Sequence, residues 1–201
     1  MGYLALEKDR LGAFMDAVVA IIMTILVLEL ERPEQLTWAA LWDMRMSFVA
    51  YVVSFFGIAV MWTTWHRDWY LLGAVSTQTV WAAILVLFAM SLVPYTTRLV
   101  VPDFSNGVAQ TLYALVAGLL TLANSFMYAK LAAVSENTSA KPYLSSHARL
   151  LAANAGITFL FMLAGMAFWP PLASFGIVVS SVIYVLPIGK RAVPAEERKI
   201  G

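Results

Sequence analysis

Arg10-Leu-Gly-Ala-Phe14-Met-Asp16-Ala17-Val-Val-Ala-Ile21-Ile-Met-Thr24-Ile25-Leu-Val-Leu28 decides how the rest of this chain is read. Two ionisable residues stand at the start of a run that is otherwise apolar as far as Leu28. An ionisable side chain at membrane depth is costly and usually faces a partner or a water-filled cavity. At about 100° per residue, Ala17, Ile21, Thr24 and Leu28 fall on one stripe, with Ile25 beside them. The stripe widens from small to bulky and holds a single hydroxyl, which suits the wall of a pore. A plain membrane helix also carries such stripes, and the Thr24 hydroxyl can bond the carbonyl of Ala20 instead.

Composition sets the class. The chain has 201 residues, 61% hydrophobic and 12% charged, with mean hydropathy +0.78. A soluble domain is nearer half apolar and about a quarter charged, so this is a membrane protein. A net charge of +1 offers no basic surface for nucleic acid. The absence of cysteine removes disulfides, thiol catalysis and cysteine metal sites together. The apolar run after Arg10 is too long for a cleavable leader and lacks a small-residue cleavage motif.

A spanning helix needs about 20 mostly apolar residues. Six segments meet this: 11–30, 40–64, 74–97, 108–132, 149–169 and 172–189. Glu31 to Gln35 with Pro33, then His66 to Asp68, Arg98 to Gly107, Ser135 to His147, and Pro170-Pro171 separate them. The stretch Ser135 to His147 is the longest polar loop expected. No span carries a Gly/Pro break near its middle; Pro94 lies near the end of the third. Residues 1–190 read as one six-helix domain and 191–201 as a short solvated tail.

Six spans put both termini on one side. That side collects Lys8, Arg10, Arg67, Lys130, Lys141, Arg149, Lys190, Arg191, Arg198 and Lys199, leaving Arg32, Arg45 and Arg98 on the other. The positive-inside rule places both termini in the cytoplasm. Trp38 and Trp42 at one edge, and Trp62, Trp65 and Trp69 at the other, read as aromatic belts. The halves share no repeat, which argues against an inverted-repeat transporter.

Arg10 and Asp16 are six residues apart and do not stack on one helix face, so their partners are expected on other helices. His66 ends the second span on the same side, with Trp62 one turn before it. An Arg10–Asp16–His66–Trp62 cluster would lock the base of the first helix to its neighbours. His66 and His147 are the only histidines, and neither has metal-site spacing. Asp16 with His66 is the only candidate acid–base pair. Two alternatives therefore stand beside a channel: a small proton-coupled transporter using Asp16, and a membrane enzyme.

The pattern Arg10-x-x-x-Phe14-x-Asp16, followed by Ala17-x-x-Ala20-Ile21-x-x-Thr24-Ile25-Leu26-x-Leu28, resembles the first helix of the bacterial endolysosomal-type potassium channels, the prokaryotic relatives of transmembrane protein 175. Trp62-Thr-Thr-Trp-His66 and Leu92-Val-Pro94-Tyr95-Thr96 are also similar to that family. The family has serine where this chain has Met15. The resemblance covers about the first half of the chain. It implies an all-α membrane protein, six transmembrane helices per subunit, in a homotetramer whose first helix lines a central pore in the bacterial inner membrane. It implies a potassium-selective channel, weakly selective over sodium, with monovalent cations and the lipid bilayer as partners and no cofactor. Carried over by position, Ile21 would form the narrow hydrophobic ring, Ile25 and Leu28 would lie further out, and Thr24 would supply hydroxyls. Ala17 would line the pore, and Arg10, Phe14, Asp16, Trp62 and His66 would support it.

Overall fold

A computed structural model describes residues 8–69, 75–100, 103–135, 137, 138 and 140–185, the last three of these by backbone alone. Every regular element among the described residues is helical: α1 (Lys8–Ile25), running into a 3₁₀ turn (Leu26–Glu29), α2 (Trp38–Asp43), α3 (Arg45–Trp69), α4 (Thr77–Ser91), α5 (Val93–Val100), α6 (Gly107–Val134), α7 (Ala140–Ala167) and α8 (Leu172–Val185). Five stretches are long and apolar enough to cross a membrane: Lys8–Glu29, Arg45–Trp69, Thr77–Val100, Gly107–Val134 and Ala140–Ala167. The shorter α8 is the sixth expected span. Its expected last residues and the expected tail 191–201 lie outside the described residues. The chain is a multi-pass, all-α membrane protein.

Local chemistry explains where the helices start. Thr37 accepts from the Ala40 N–H, Ser76 from the Thr79 N–H, and Asn106 from the N–H groups of Val108 and Ala109. Each cap satisfies a donor that the first helical turn leaves open. The third span is broken at Leu92, because Pro94 removes a backbone N–H and crowds the preceding turn. The Met90 carbonyl that Pro94 leaves without its usual donor is taken up by the Leu92 N–H, and the Thr96 and Thr97 hydroxyls donate to the carbonyls of Leu92 and Val93, Thr97 to Val93 O at 2.8 Å. Such local donors make a proline tolerable within hydrocarbon. The span continues past this break to Val100, three residues beyond the expected end.

Two expected boundaries need correction. The second span begins at Arg45 rather than residue 40, because α2 occupies 38–43 and the chain turns at Met44. His66, Arg67 and Asp68 therefore belong to the helix. The expected polar loop Ser135 to His147 is largely helix from Ala140 onward, with the Asn137 side chain accepting from the Ala140 N–H. Ala140, Leu144, His147, Ala148, Leu151, Asn154, Ala155 and Thr158 form its buried stripe. The exposed Lys141 and Ser146 beside this stripe, and the buried His147 within it, lower the hydropathy of the first turns, so an apolar window misses the beginning of the helix.

The main core joins α1, α3, α4, α6 and α7. On α1 the buried residues Leu11, Met15, Val19, Ile22 and Leu26 recur every three or four positions and enter this core, as one face of a helix must. α6 and α7 pack along most of their length. A Cβ at Gly118 would sit 2.7 Å from the Phe159 ring, so glycine there sets how closely the two helices approach. Glu29 meets Arg98 at 3.8 Å, tying the end of the first span to α5.

Candidate pore helix and its supports

The buried stripe of α1 leaves the opposite face uncovered within one protomer. Ile21 is 58% exposed and Leu28 77% exposed, with Thr24 exposed between them, Ala17 exposed before them, and Phe14 and Ile25 alongside. The face carries no charged side chain between Ala17 and Leu28. The Thr24 hydroxyl donates to Ile21 O at 2.8 Å, not to Ala20 as the alternative reading had it. With its proton committed to the backbone, the Thr24 oxygen presents only lone pairs outward. Met15 belongs to the buried stripe and packs in the core. The thioether thus fills volume where the resemblance implied a serine hydroxyl.

At the base of α1 the structure brings together three of the four residues expected to cluster. The Trp62 indole N–H donates to Asp16 Oδ1 at 2.8 Å. The rings of Trp62 and His66 stack, 5.6 Å apart and 27° from parallel. Arg10 is exposed and forms no ion pair with Asp16 within the protomer. A cavity of about 260 Å³ lies beside them, lined by Gly12, Asp16, Trp65, His66 and Trp69. The carboxylate is held on α3 by an indole N–H.

The tryptophans of α3 differ from the aromatic belt expected of them. Trp65 is buried and donates to Asn124 Oδ1 at 2.9 Å, and Trp69 donates to Lys8 O at 3.2 Å. Trp62, Trp65 and Trp69 thus anchor α3 to α1 and α6 through three indole N–H groups. Their spacing of three and four places them on one helix face, a signal already present in the sequence. Trp38 and Trp42 are both largely exposed.

Asp68 is a feature that reading the sequence missed. It is 3% exposed and accepts from Tyr128 Oη at 2.7 Å, from Tyr143 Oη at 3.0 Å and from Arg67 Nε at 3.0 Å. Arg67 also donates to Tyr143 Oη at 3.1 Å. The His147 ring lies 4.4 Å from that of Tyr128 and 5.9 Å from that of Tyr143. One carboxylate therefore fastens the end of α3 to both α6 and α7. Since Trp62 and His66 stand on the same last turns of α3, this latch positions the support of α1.

Residues 10–94 match the family model of the endosomal/lysosomal potassium channel TMEM175. That segment, less than half of the chain, resembles the TMEM175 family. It holds the exposed α1 face, the Asp16–Trp62 contact and the proline break of the third span. A potassium channel from Chryseobacterium sp. is 40% identical over 93 residues, 46% of this chain and 48% of the relative. One from Streptomyces collinus is 33% identical over 125 residues, 58% of this chain and 61% of the relative. The match thus spans about half to three fifths of these curated relatives. Among solved structures, a lysosomal potassium-selective channel TMEM175 homolog from Chamaesiphon minutus superposes with TM-score 0.68 at 21% identity, covering 90% of this chain and 99% of that one. A variant of the potassium channel MtTMEM175 gives TM-score 0.64 at 17% identity, over 92% and 93% of the two chains. At these identities the likeness establishes the fold.

The Asp16–Trp62 contact gives a direct test. Trp62→Phe keeps an aromatic ring over His66 and removes the donor. It should lower stability by about 1 kcal/mol, a typical net value for a hydrogen bond, read as a lower thermal midpoint in detergent. Asp16→Ala should show at least the same loss. If both variants melt like the parent, the contact does not hold α1 in place.

Proposed function

We propose that this protein is a potassium-selective channel in which four copies surround a central pore lined by α1, with residues 1–190 as the channel unit. The observation that carries the reading is the uncovered α1 face. A stripe running from Ala17 through Ile21 and Thr24 to Leu28 turns away from its own core. It lies in the segment that matches a potassium-channel family. One helix cannot enclose a pore, whereas cyclic repetition of a single stripe can.

In this arrangement Ile21 forms the narrowest ring, with Ile25 and Leu28 further out. Isoleucine side chains cannot replace an ion's hydration shell, so the ring closes by dewetting. When it is slightly open, potassium passes more readily than sodium because it gives up water at lower cost. Thr24 oxygens, with their protons held by Ile21 O, would offset part of the lost hydration. The result is weak selectivity without a carbonyl filter. Asp16, Trp62 and His66 hold the base of α1, and Phe14 and Arg10 reach toward a neighbouring subunit. Both termini lie in the cytoplasm, the membrane is the bacterial inner membrane, and the protein conducts rather than catalyses.

Assembly tests this reading first. Light scattering of the purified protein in detergent should give the mass of about four protomers, as closed cyclic symmetry requires. Arg10→Ala should reduce the assembled fraction while leaving the protomer folded, because Arg10 is exposed and has no ion-pair partner among the described residues. A stable monomer that conducts would rule out the shared pore. Single-channel recording in a planar bilayer separates conduction from transport. Unitary potassium currents fit the channel, and slow saturable flux coupled to protons would favour a transporter using Asp16.

A further inference from the structure

An apolar groove of about 590 Å³ runs between α4 and α6, with Leu85 and Phe88 on one wall and Leu119, Leu122 and Phe126 on the other. It follows α6 from Val116 to Ala129, about 20 Å at 1.5 Å per residue. The Ser125 hydroxyl on its wall is committed, donating to Ala148 O at 2.7 Å. The groove therefore offers hydrocarbon along its length and would accept any acyl chain. Two cations at one end of it select the occupant.

Lys130 continues the stripe of Leu119, Ala123 and Phe126 at helical spacing. Its Nζ lies 5.0 Å from the centre of the Phe126 ring, so the ammonium is turned toward the groove. Arg149 is exposed on α7. Ala148 beside it meets Ser125 across the α6–α7 contact. Asn124 on α6 faces Trp65 of α3, and Asn154 on α7 faces α8. At about 100° per residue, Lys130 stands about 120° round its helix from Asn124, and Arg149 about 140° from Asn154. Both cations therefore turn to the outer surface of the α6–α7 pair, onto which the groove opens.

Their depth makes this costly without a partner. α6 and α7 have 28 residues each, about 42 Å against a hydrocarbon core of about 30 Å. Lys130, one turn before the end of α6, stands at the edge of that core. Arg149, about 14 Å from the start of α7, stands inside it. Its Cβ tilts toward the start of α7, so the guanidinium reaches back toward the level of Lys130. The helices α4, α6 and α7 carry no acidic residue, and neither cation has an ion-pair partner among the described residues. Trp81, exposed on α4 one turn before Leu85, marks the same edge, where indole rings sit at headgroup level.

We infer that an anionic phospholipid occupies this surface, its phosphate between Lys130 and Arg149 and one acyl chain in the α4–α6 groove. The lysine supplies a point charge and the arginine a fork that fits phosphate oxygens. A zwitterionic lipid would fill the groove equally well but bring its own ammonium to the two cations. The inference rests on the chain spanning a membrane and not on how ions cross it.

The test uses the full chain, assembled in mild detergent and titrated with dioleoyl phosphatidylglycerol or dioleoyl phosphatidylcholine, with bound lipid counted by native mass spectrometry. Phosphatidylglycerol should bind at one molecule per chain and about twentyfold more tightly, because each cation is worth about fivefold. Lys130→Gln and Arg149→Gln should each remove about fivefold of that preference, and the double variant most of it. Arg45→Gln, at the far end of α3, should leave it unchanged. Ala129→Trp fills the groove from an exposed position and keeps both cations. It should weaken phosphatidylglycerol binding about tenfold, the burial of about two methylene groups. Equal binding of the two lipids, or a preference that survives the double variant, would overturn the inference. So would unchanged binding in Ala129→Trp. Binding seen only in dissociated protomers would show that a second copy covers this surface, and would overturn it too.

Discussion

Ile21→Asn is expected to raise potassium current about tenfold, which corresponds to removing about 1.4 kcal/mol from the barrier, and to lower the preference for potassium over sodium. In the proposed tetramer the substitution puts four amide groups where four hydrocarbon side chains would exclude water, which would keep the ring wet. Ile21 is 58% exposed, and the change leaves the core of the protomer untouched. Ile22 provides the control on the next residue. It is 4% exposed and belongs to the core, so Ile22→Asn should reduce folded yield instead. Val18, partly buried against that core, should respond similarly or little. Thr24→Val keeps the volume and removes the oxygen lone pairs. It should reduce selectivity or current while assembly is kept. Bi-ionic reversal potentials and unitary currents in a planar bilayer decide the matter. If Ile21→Asn keeps the parent current and reversal potential, α1 does not form the constriction.

The largest stability effect is expected at Asp68. Asp68→Ala removes the acceptor for Tyr128, Tyr143 and Arg67 at once, and should cost about 3–5 kcal/mol, as breaking a buried charged network does. Folded yield should fall sharply, and the ends of α3, α6 and α7 should lose hydrogen-exchange protection together. Asp68→Asn retains acceptor capacity without charge and should recover part of the yield. Tyr143→Phe, which leaves the Tyr128 bond in place, should fall between the parent and Asp68→Ala. Parent-like yield and protection for Asp68→Ala would show that the three helices are held by packing alone.

Much of the fold was legible along the chain. Hydropathy and length marked most helix ends to within about five residues, the start of the fifth span at Ala140 excepted, and the resemblance of residues in the first three spans agrees with the family match over 10–94. The misplaced boundaries share a cause. At Asp68 and at His147, polar residues lie on buried helix faces, against side chains of other helices. A window along one segment treats them as solvated. The same blindness made Trp65 and Trp69 read as membrane anchors, although Asn124 and Lys8 O take their protons.

The sequence by itself determined the class, the family resemblance, and the amphipathic division of α1, because these depend on composition and on residues three and four positions apart. The tertiary structure alone decided that Asp16 meets Trp62, that Arg10 stands apart from it within the protomer, and that Asp68 joins three helices. It alone laid the groove between α4 and α6 beside Lys130. Each of these is set by how separate helices cross and by which buried donors find acceptors 46 to 76 residues away along the chain. No local pattern encodes that distance, since the pairing is fixed only when apolar faces pack and every polar group left inside must be answered.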